Sequence, residues 1–300
     1  MLQVSSDTRH TLSTVSKKMG KSTLNHIVIE GIEDFYAVGD IHGEYETLLC
    51  HLKWAQLKDS VVICAGDCGM GFSSVEGTKQ QLTKLRNYCN KNNVHVFFIR
   101  GNHDDPKYYS QKLINYPNVK CIPDYTVITK MVNGVVEDNI LCVGGATSID
   151  RNYRLKGMYE DKLKYLKYHP FATHEEADTN IRHTYWDDEQ PIFCPEKMDG
   201  IKENGIEITV VCTHTCPSFC TPLTKDGIEG WLYADPTLNE CIDEERAVMD
   251  SIHEKLNADG HHVRKWMYGH YHFHASEYID GIMYTLLDMC RGTRCDMCRI

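Results

Sequence analysis

Five short apolar runs in this chain each end in residue types that bind metal ions, and this repeated pattern restricts the possible fold more than any other feature. The runs are residues 35–38, 60–65, 94–99, 207–212 and 265–268. Helical patterns at 44–57, 78–90 and 243–256 lie between them. Strands that alternate with helices are typical of α/β proteins, which carry functional residues at the carboxyl ends of their strands. We therefore predict an α/β fold with a functional site at those strand ends.

The first run is followed by Gly39 to Glu44, with the sequence GDIHGE. A strand that continues through Asp40 and His42 places both side chains on one face, because strand side chains alternate with a period of two. A carboxylate and an imidazole suit Zn, Mn or Fe better than Ca or Mg, which prefer oxygen ligands. An isolated Asp-x-His can equally be an exposed turn, so this interpretation depends on the other strand ends.

The other strand ends carry the same kinds of ligand. Together the five ends provide Asp40, His42, Asp67, Asn102, His103, His214, His270 and His272. Seven of these eight groups are enough to hold two cations, about 3.5–4 Å apart, that share one carboxylate.

The composition is that of a globular protein. The 300 residues, 42% hydrophobic and 25% charged, are enough for one large domain or two small ones. The formal net charge of −10 provides no general positive field, so duplex nucleic acid and acidic membrane surfaces are not expected partners. A phosphorylated substrate would need a local positive charge, which a metal pair supplies.

The sequence predicts a cytoplasmic protein. It has no apolar segment long enough to span a bilayer, and residues 1–24 are a polar stretch without a signal-peptide core. We interpret 1–24 as a disordered or loosely attached extension and 25–300 as the folded domain. Among the 14 cysteines, Cys64, Cys142 and Cys212 lie in strand-like runs, which favours reduced, buried thiols over a disulfide scaffold.

The second half of the chain predicts a second sheet and an insertion. Short strand patterns at 125–130, 135–137 and 140–143 surround the turn Asn133-Gly134, which is typical of antiparallel pairing. Residues 147–204 are rich in charged and aromatic residues and are broken by prolines. We expect this segment to be a partly helical, cap-like insertion over the core.

The ordered motifs GDIHG, GD, GNHD, H and GHYH, which extend from about Phe35 to His272, resemble those of the calcineurin-like metallophosphoesterase family. The resemblance implies a four-layer αββα sandwich with two mixed β-sheets. It also implies two divalent ions, Mn, Fe or Zn, as cofactors. One ion would be held by Asp40, His42 and His272 and the other by Asn102, His214 and His270, with Asp67 between them.

The resemblance further implies hydrolysis of a phosphoester by a metal-bridging hydroxide, without a covalent intermediate. His103 resembles the family's general acid, which protonates the leaving oxygen. The protein-phosphatase branch continues its second motif as GD-x-x-Asp-Arg, whereas Met70 and Gly71 stand at those positions here. The loop 66–72 and the block 144–146 are more similar to those of small bacterial or phage phosphoesterases than to those of eukaryotic protein phosphatases.

Other residues must therefore orient the general acid and bind the phosphate. Asp104 and Asp105 are candidates to orient the imidazole of His103. The candidates to bind phosphate through paired hydrogen bonds are Arg100, Arg151 and Arg154. Each arginine can equally be a solvated surface charge.

Two groups of cysteines are candidates for a zinc site. The cysteines of residues 212–220 are spaced by four and lack the C-x-x-C pairing of structural zinc sites, so we interpret them as packing thiols. Cys290, Cys295 and Cys298 are a better zinc candidate. They lack a fourth ligand unless a distant residue such as His274 folds over them.

These features favour a phosphomonoesterase that acts on a phosphorylated small molecule or a phosphoprotein. One alternative is a phosphodiesterase acting on cyclic or oligomeric nucleotides, because diesters carry less charge and the Asp-Arg pair is missing. An alternative of another class is a non-catalytic scaffold on a phosphoesterase fold. Degenerate scaffolds lose metal ligands, whereas all seven are present in this sequence.

Overall fold

The computed structural model of this protein describes residues 13–14 and 24–300, so the predicted extension at 1–24 lies almost wholly outside the described residues. The strands are β1 (Ser13–Thr14), β2 (His26–Glu30), β3 (Asp34–Val38), β4 (Ser60–Cys64), β5 (Val94–Phe98), β6 (Val119–Cys121), β7 (Thr126–Val132), β8 (Val135–Val143), β9 (Val210–Thr213), β10 (Lys265–Tyr268), β11 (Ala275–Ile279), β12 (Ile282–Leu286) and β13 (Cys298–Arg299). The helices are α1 (Tyr45–Trp54), α2 (Val75–Gln81), α3 (Thr83–Asn92), α4 (Lys107–Ser110), α5 (Arg151–Tyr168), α6 (His174–Asn180), α7 (Pro195–Glu203), α8 (Ile228–Ala234) and α9 (Leu238–Ala258).

The described strands form two mixed sheets. The larger has the order β1-β2-β7-β8-β9-β10-β12-β11, and the smaller has the order β13-β3-β4-β5-β6. Strands β3 to β6 are parallel to one another, as are β8, β9 and β10. The antiparallel pairing of β7 with β8 confirms the predicted hairpin around Asn133.

Alternation along the strands creates the layers. On β4, Val61 and Ile63 are buried in a core shared with the larger sheet, whereas Val62 and Cys64 are buried in a core shared with helices. Leu48 and Leu52 of α1 complete that helical core, and burying each leucine contributes about 1.5–3 kcal/mol.

A third core covers the other face of the larger sheet. Met249 of α9 packs there with Val211 of β9 and Trp266 of β10. The layers are therefore helices, sheet, sheet and helices, and the predicted αββα sandwich is confirmed.

Strand β8 differs from the expected pattern, because the two predicted strands 135–137 and 140–143 form one continuous element. Asp138 and Asn139 interrupt the apolar pattern, but both are buried and have partners. Both carboxylate oxygens of Asp138 lie 2.6 Å from Arg264 Nη2, and Thr129 donates to Asn139 Oδ1 at 2.5 Å. These hydrogen bonds satisfy the two polar side chains inside the sheet, so the strand continues where the sequence pattern predicted a break between two strands.

The segment 147–204 contains three helices, α5, α6 and α7. Helix α5 has no buried residue, whereas Met198 and Ile201 of α7 are buried in the third core. The segment is thus attached to the core mainly by its second half. None of the helices in the described part of the chain combines the length and apolar character needed to cross a bilayer.

Candidate metal centre

Five loops that follow β3, β4, β5, β9 and β10 come together at one edge of the sandwich. Strands β3, β4 and β5 are adjacent and parallel in the smaller sheet, and β9 and β10 are adjacent and parallel in the larger one. Their carboxyl ends therefore meet across the core that the two sheets share. The predicted residues that these loops bring together are Asp40, His42, Asp67, Asn102, His103, His214, His270 and His272.

The geometry of the first loop corrects the argument from strand alternation. Strand β3 ends at Val38, so Asp40 and His42 lie in the loop that follows it, and His42 adopts a positive φ of 44°. The amides of Ile41 and His42 donate to the carbonyl of Asp67 at 3.2 and 2.7 Å. Hydrogen bonds between neighbouring loops, rather than a regular strand, bring the two side chains together.

The first cluster consists of Asp40, His42, Asp67 and His272, whose ligand atoms all lie within 4.8 Å of one another. Nε2 of His42 is 3.2 Å from Nε2 of His272. Two nitrogens bound at about 2.1 Å to a tetrahedral ion lie about 3.4 Å apart, so this spacing suits two ligands of one ion.

The second cluster is centred on Asn102. Its Oδ1 lies 3.0 Å from Nε2 of His214 and 3.0 Å from Nδ1 of His270. Oδ1 of Asp67 is 3.2 Å from the same His214 nitrogen, and Oδ2 of Asp67 is 3.9 Å from Nε2 of His42. Asp67 therefore lies between the two clusters.

Two buried carboxylate oxygens provide a test of whether metal ions fit. Oδ2 of Asp67 is buried and has no hydrogen-bond donor in residues 13–14 and 24–300, and the buried Oδ2 of Asp40 lies 2.9 Å from Nε2 of His272. Burying a charged oxygen without a partner is costly, and a divalent cation would remove that cost. The mixture of carboxylate, imidazole and amide donors suits Zn, Mn or Fe. The residues present therefore fit a dinuclear centre.

The charges of the two aspartates also favour cations. Burial raises the pKa of Asp67, but the positive charge on the surrounding histidines, His214 among them, outweighs that effect and holds the pKa well below its usual value. Burial likewise opposes ionisation of Asp40, and His214 and His272 outweigh it, so its pKa is also lowered. Both side chains are therefore carboxylates at neutral pH.

Backbone contacts orient the ligands. Nδ1 of His214 donates to the carbonyl of Ala65 at 2.7 Å, which directs Nε2 towards the second cluster. Gly66 has a φ of +100°, and a side chain there would collide with the His214 ring. The amides of His270 and His103 donate to Asp40 and Asp67 at 2.9 and 2.8 Å.

Ser148 and Glu189 support the second cluster, although the sequence did not indicate them. Nδ2 of Asn102 donates to Oγ of Ser148 at 2.9 Å, so the amide presents its oxygen to the two histidines. Glu189 accepts hydrogen bonds from both the amide and the hydroxyl of Ser148 at 2.7 and 2.6 Å. Burial raises the pKa of Glu189 to about 8. Both residues belong to the 147–204 segment, which has no motif that marks them.

Asp104 has a different role from the one predicted. Its two oxygens accept hydrogen bonds from the amides of Cys68, Met70 and Gly101 at 2.8–3.0 Å. Because its acceptor positions point to the backbone, Asp104 shapes the loop after β4 and is not a partner of the His103 imidazole.

Arg100 and Arg151 have their donors engaged away from the two clusters. Arg100 is buried, donates to the carbonyls of residues 188–190 and pairs with Asp124 at 3.0 Å. Arg151 pairs with Asp235, with Nε 2.6 Å from Oδ2. The prediction that either binds phosphate therefore has no support from the described contacts.

Arg154 is the predicted arginine that reaches the site. Its Nη2 donates to Nε2 of His103 at 2.5 Å, and its Nε pairs with Asp150 at 2.7 Å. Burial lowers the pKa of His103 to about 3, which agrees with a neutral imidazole that accepts from Arg154. A cavity of about 520 Å³, lined in part by Phe72, His103, Tyr153, Arg154 and Arg182, lies beside this pair.

Comparisons with known proteins relate this chain to one sequence family and to several solved structures. The sequence model described as calcineurin-like phosphoesterase matches residues 34–274. A comparison with curated proteins found no match. Among solved structures, a phosphopantetheinyl hydrolase from Mycobacterium tuberculosis is 15% identical, with a TM-score of 0.42 over 86% of this chain and 90% of that one. A dimetal phosphatase from Danio rerio is 12% identical, with a TM-score of 0.44 over 87% and 88%. The family match over most of the chain shows that this protein belongs to the calcineurin-like phosphoesterase family and is a metal-dependent phosphoesterase.

Proposed function

We propose that this enzyme hydrolyses phosphomonoesters at a dinuclear metal centre. The proposed ligands are Asp40, His42 and His272 for one ion and Asn102, His214 and His270 for the other, with Asp67 shared. The observation that carries the proposal is the position of Asp67, a buried carboxylate with one oxygen near each cluster. Two divalent ions bound there would supply an activated nucleophile at neutral pH and neutralise charge on the phosphoryl group.

Arg154 supports the choice of a monoester. A phosphomonoester carries more negative charge than a diester, and a guanidinium beside the metal clusters adds a positive charge that can bind two phosphate oxygens. Arg154 lies at the rim formed by His103 and the cavity, where it can replace the Asp-Arg pair missing at Met70 and Gly71. The cavity has the size of a small-molecule pocket, which favours a low-molecular-weight leaving group.

His103 is proposed as the proton donor to the leaving oxygen. In the described arrangement its Nε2 accepts from Arg154 and therefore has no proton to give. Proton donation from Nε2 thus requires Arg154 to turn away, and a bound phosphate provides the partner to which it can turn.

The choice of substrate is tested with p-nitrophenyl phosphate and bis-p-nitrophenyl phosphate after reconstitution with Mn, Fe or Zn. We expect kcat/KM to be higher for the monoester. We also expect Asp67→Asn to lower both activities at least about 10³-fold, because the shared ligand is lost. A preference for the diester would replace the proposal by the phosphodiesterase alternative, and metal-loaded protein without activity on either ester would support a scaffold.

The role of Arg154 is tested against Arg151, which lies on the same helix. We expect Arg154→Ala to lower kcat/KM for the monoester about 10–100-fold and to affect the diester less, since a charge-assisted pair of hydrogen bonds is lost. Arg151→Ala removes the pair with Asp235 and should leave kcat/KM within about twofold. Equal effects of the two variants would mean that α5 has a structural role and that Arg154 does not bind the phosphate.

His103→Ala tests the proton donor. We expect an unchanged metal content and reduced turnover that worsens as the leaving group becomes less acidic, because only poor leaving groups need protonation. The measurement is kcat for a series of aryl and alkyl phosphates, with metal content determined on the same preparations. Turnover that falls equally for all leaving groups would remove His103 from this role.

A further inference from the structure

The cysteine-bearing C-terminal tail folds differently from the zinc site that the sequence suggested. Cys298 lies on β13 and packs against the core between the two sheets. Cys290 and Cys295 pack instead against the core beneath α1. There they meet His51, and a ring nitrogen of His51 and the two sulfurs lie within 4.8 Å of one another. Three metal-binding side chains thus converge from segments about 240 residues apart.

The turn between the two cysteines presents both thiols to the same place. Arg291 and Arg294 form a backbone bridge with hydrogen bonds of 2.8 and 2.9 Å, and Gly292 adopts a φ of +57°. Cys290 and Cys295 directly flank this bridge, one on each arm. Their C-x4-C spacing lies within the range that zinc sites use.

His51 is held in an orientation that suits a ligand. It is buried on α1, and its Nε2 lies 3.1 Å from the carbonyl oxygen of Gly292. A carbonyl only accepts, so this contact places the proton on Nε2 and leaves the lone pair on Nδ1. Metal-bound histidines commonly fix their tautomer through such a hydrogen bond.

A second thiol pair in the protein shows what a packing site looks like. Cys216 and Cys220 are buried, and the guanidinium of Arg246 lies 3.6 Å from the sulfur of Cys216. A buried positive charge in that position disfavours a bound cation. Beside Cys290 and Cys295, by contrast, the imidazole of His51 lies within reach of both sulfurs.

We propose that His51, Cys290 and Cys295 bind a third metal ion, zinc, separate from the dinuclear centre. In residues 13–14 and 24–300 no fourth His, Cys, Asp or Glu completes the group, so a water molecule would take the remaining position. Two thiolates and an imidazole select zinc over the harder manganese or magnesium. The inference does not depend on which phosphoester is hydrolysed.

The ion would stabilise the loop that carries Asp40. The amide of Cys290 donates to the carbonyl of Asp40 at 2.7 Å. Gly39 packs so closely on the tail that a side chain there would collide with the carbonyls of Leu287 and Asp288. Zinc would therefore clamp the tail to α1 and hold the segment that packs against a ligand of the dinuclear centre.

The test uses Co²⁺ in place of zinc in the full chain under reducing conditions. Cobalt bound by thiolates shows a sulfur-to-metal charge-transfer band, which the nitrogen and oxygen ligands of the dinuclear centre do not produce. We expect the band in the wild type and in Asp67→Asn, and its loss in Cys295→Ser. The matched control Cys298→Ser, a cysteine of the same tail, should keep the band. Zinc analysis should show about one equivalent less in Cys295→Ser than in Cys298→Ser.

Several outcomes would overturn the site. A wild type without the band, or a band that survives in Cys295→Ser, would mean that these residues do not bind the metal. In protein prepared without reductant, a loss of two titratable thiols that a reductant restores, without zinc, would identify a disulfide instead. The band in Asp67→Asn reports this site even if the phosphoesterase proposal fails. A band that disappears in Cys298→Ser as well as in Cys295→Ser would instead support the three-cysteine site suggested by the sequence.

Discussion

At the scale of single residues, the orientation of Asn102 depends on side chains outside the metal clusters. An amide presents either its oxygen or its nitrogen, and only the oxygen can bind a cation. The hydroxyl of Ser148 accepts from Nδ2 and donates to Glu189, so the orientation of the amide is set by a chain of two hydrogen bonds. Partners of this kind commonly change metal affinity 10–100-fold.

We therefore expect Ser148→Ala to weaken binding of the ion at the second cluster about 10–100-fold, because the amide of Asn102 loses its partner. The measurement is a calorimetric titration of apo protein with Mn²⁺ or Zn²⁺. Ser251→Ala is a suitable control, since that hydroxyl donates to the carbonyl of Ala247 in its own helix. Identical titrations for both variants would show that the amide is held by other contacts.

At the scale of the elements, β5 contains a buried titratable group far from the metal ligands. His95 lies on β5, the fourth strand of the smaller sheet, and its Nδ1 has no hydrogen-bond partner in the described residues. Burial lowers the pKa of His95 to about 4. Between pH 6.5 and 4 the unfolded chain therefore binds more protons than the folded one, so the free energy of unfolding falls as the pH falls.

Replacing His95 by leucine should remove this pH dependence, because leucine has a similar volume and no charge. We expect the wild type to lose about 2–3 kcal/mol more of its unfolding free energy than His95→Leu when the pH changes from 7 to 4.5. Urea titrations at the two pH values provide the comparison. His174→Leu, at an exposed position of α6, should behave like the wild type. Parallel losses in wild type and His95→Leu would contradict the assignment.

At the scale of the whole molecule, the proposed metal centre joins the two sheets. Asp40, Asp67 and Asn102 follow strands of the smaller sheet, whereas His214 and His270 follow strands of the larger one. Bound cations would therefore link both halves of the sandwich. They would also neutralise the buried Oδ2 of Asp67, which has no hydrogen-bond donor in the part of the chain that the structure describes.

Removal of metal should consequently lower the stability of the entire fold. Ligand at 100 times its dissociation constant contributes about 2.7 kcal/mol, so chelation should lower the melting temperature by several degrees. Calorimetry of apo and reconstituted protein measures the difference. In Asp67→Asn the shift should be much smaller. A wild type whose melting temperature does not respond to metal would argue against a link between the sheets.

The sequence alone was sufficient for the fold class and for the set of strand-end residues that the structure brings together. The reason is that each motif is local: a strand, its polar loop and the next helix are encoded within about fifteen residues. Parallel strands then bring their carboxyl ends to one edge whatever the details of packing. The same local reasoning failed for Asp40 and His42, because a loop bonded to a neighbouring loop replaced the expected strand.

Only the tertiary structure decided which polar side chains contact one another. Arg100, Arg151 and Arg154 are equivalent as residue types, yet only Arg154 contacts His103. The support of Asn102 by Ser148, and the approach of His51 to the tail cysteines, also join segments that no local pattern relates. Such contacts depend on how helices and loops pack over long separations in the chain. Residue type limits what a side chain can bind, and packing determines what lies within its reach.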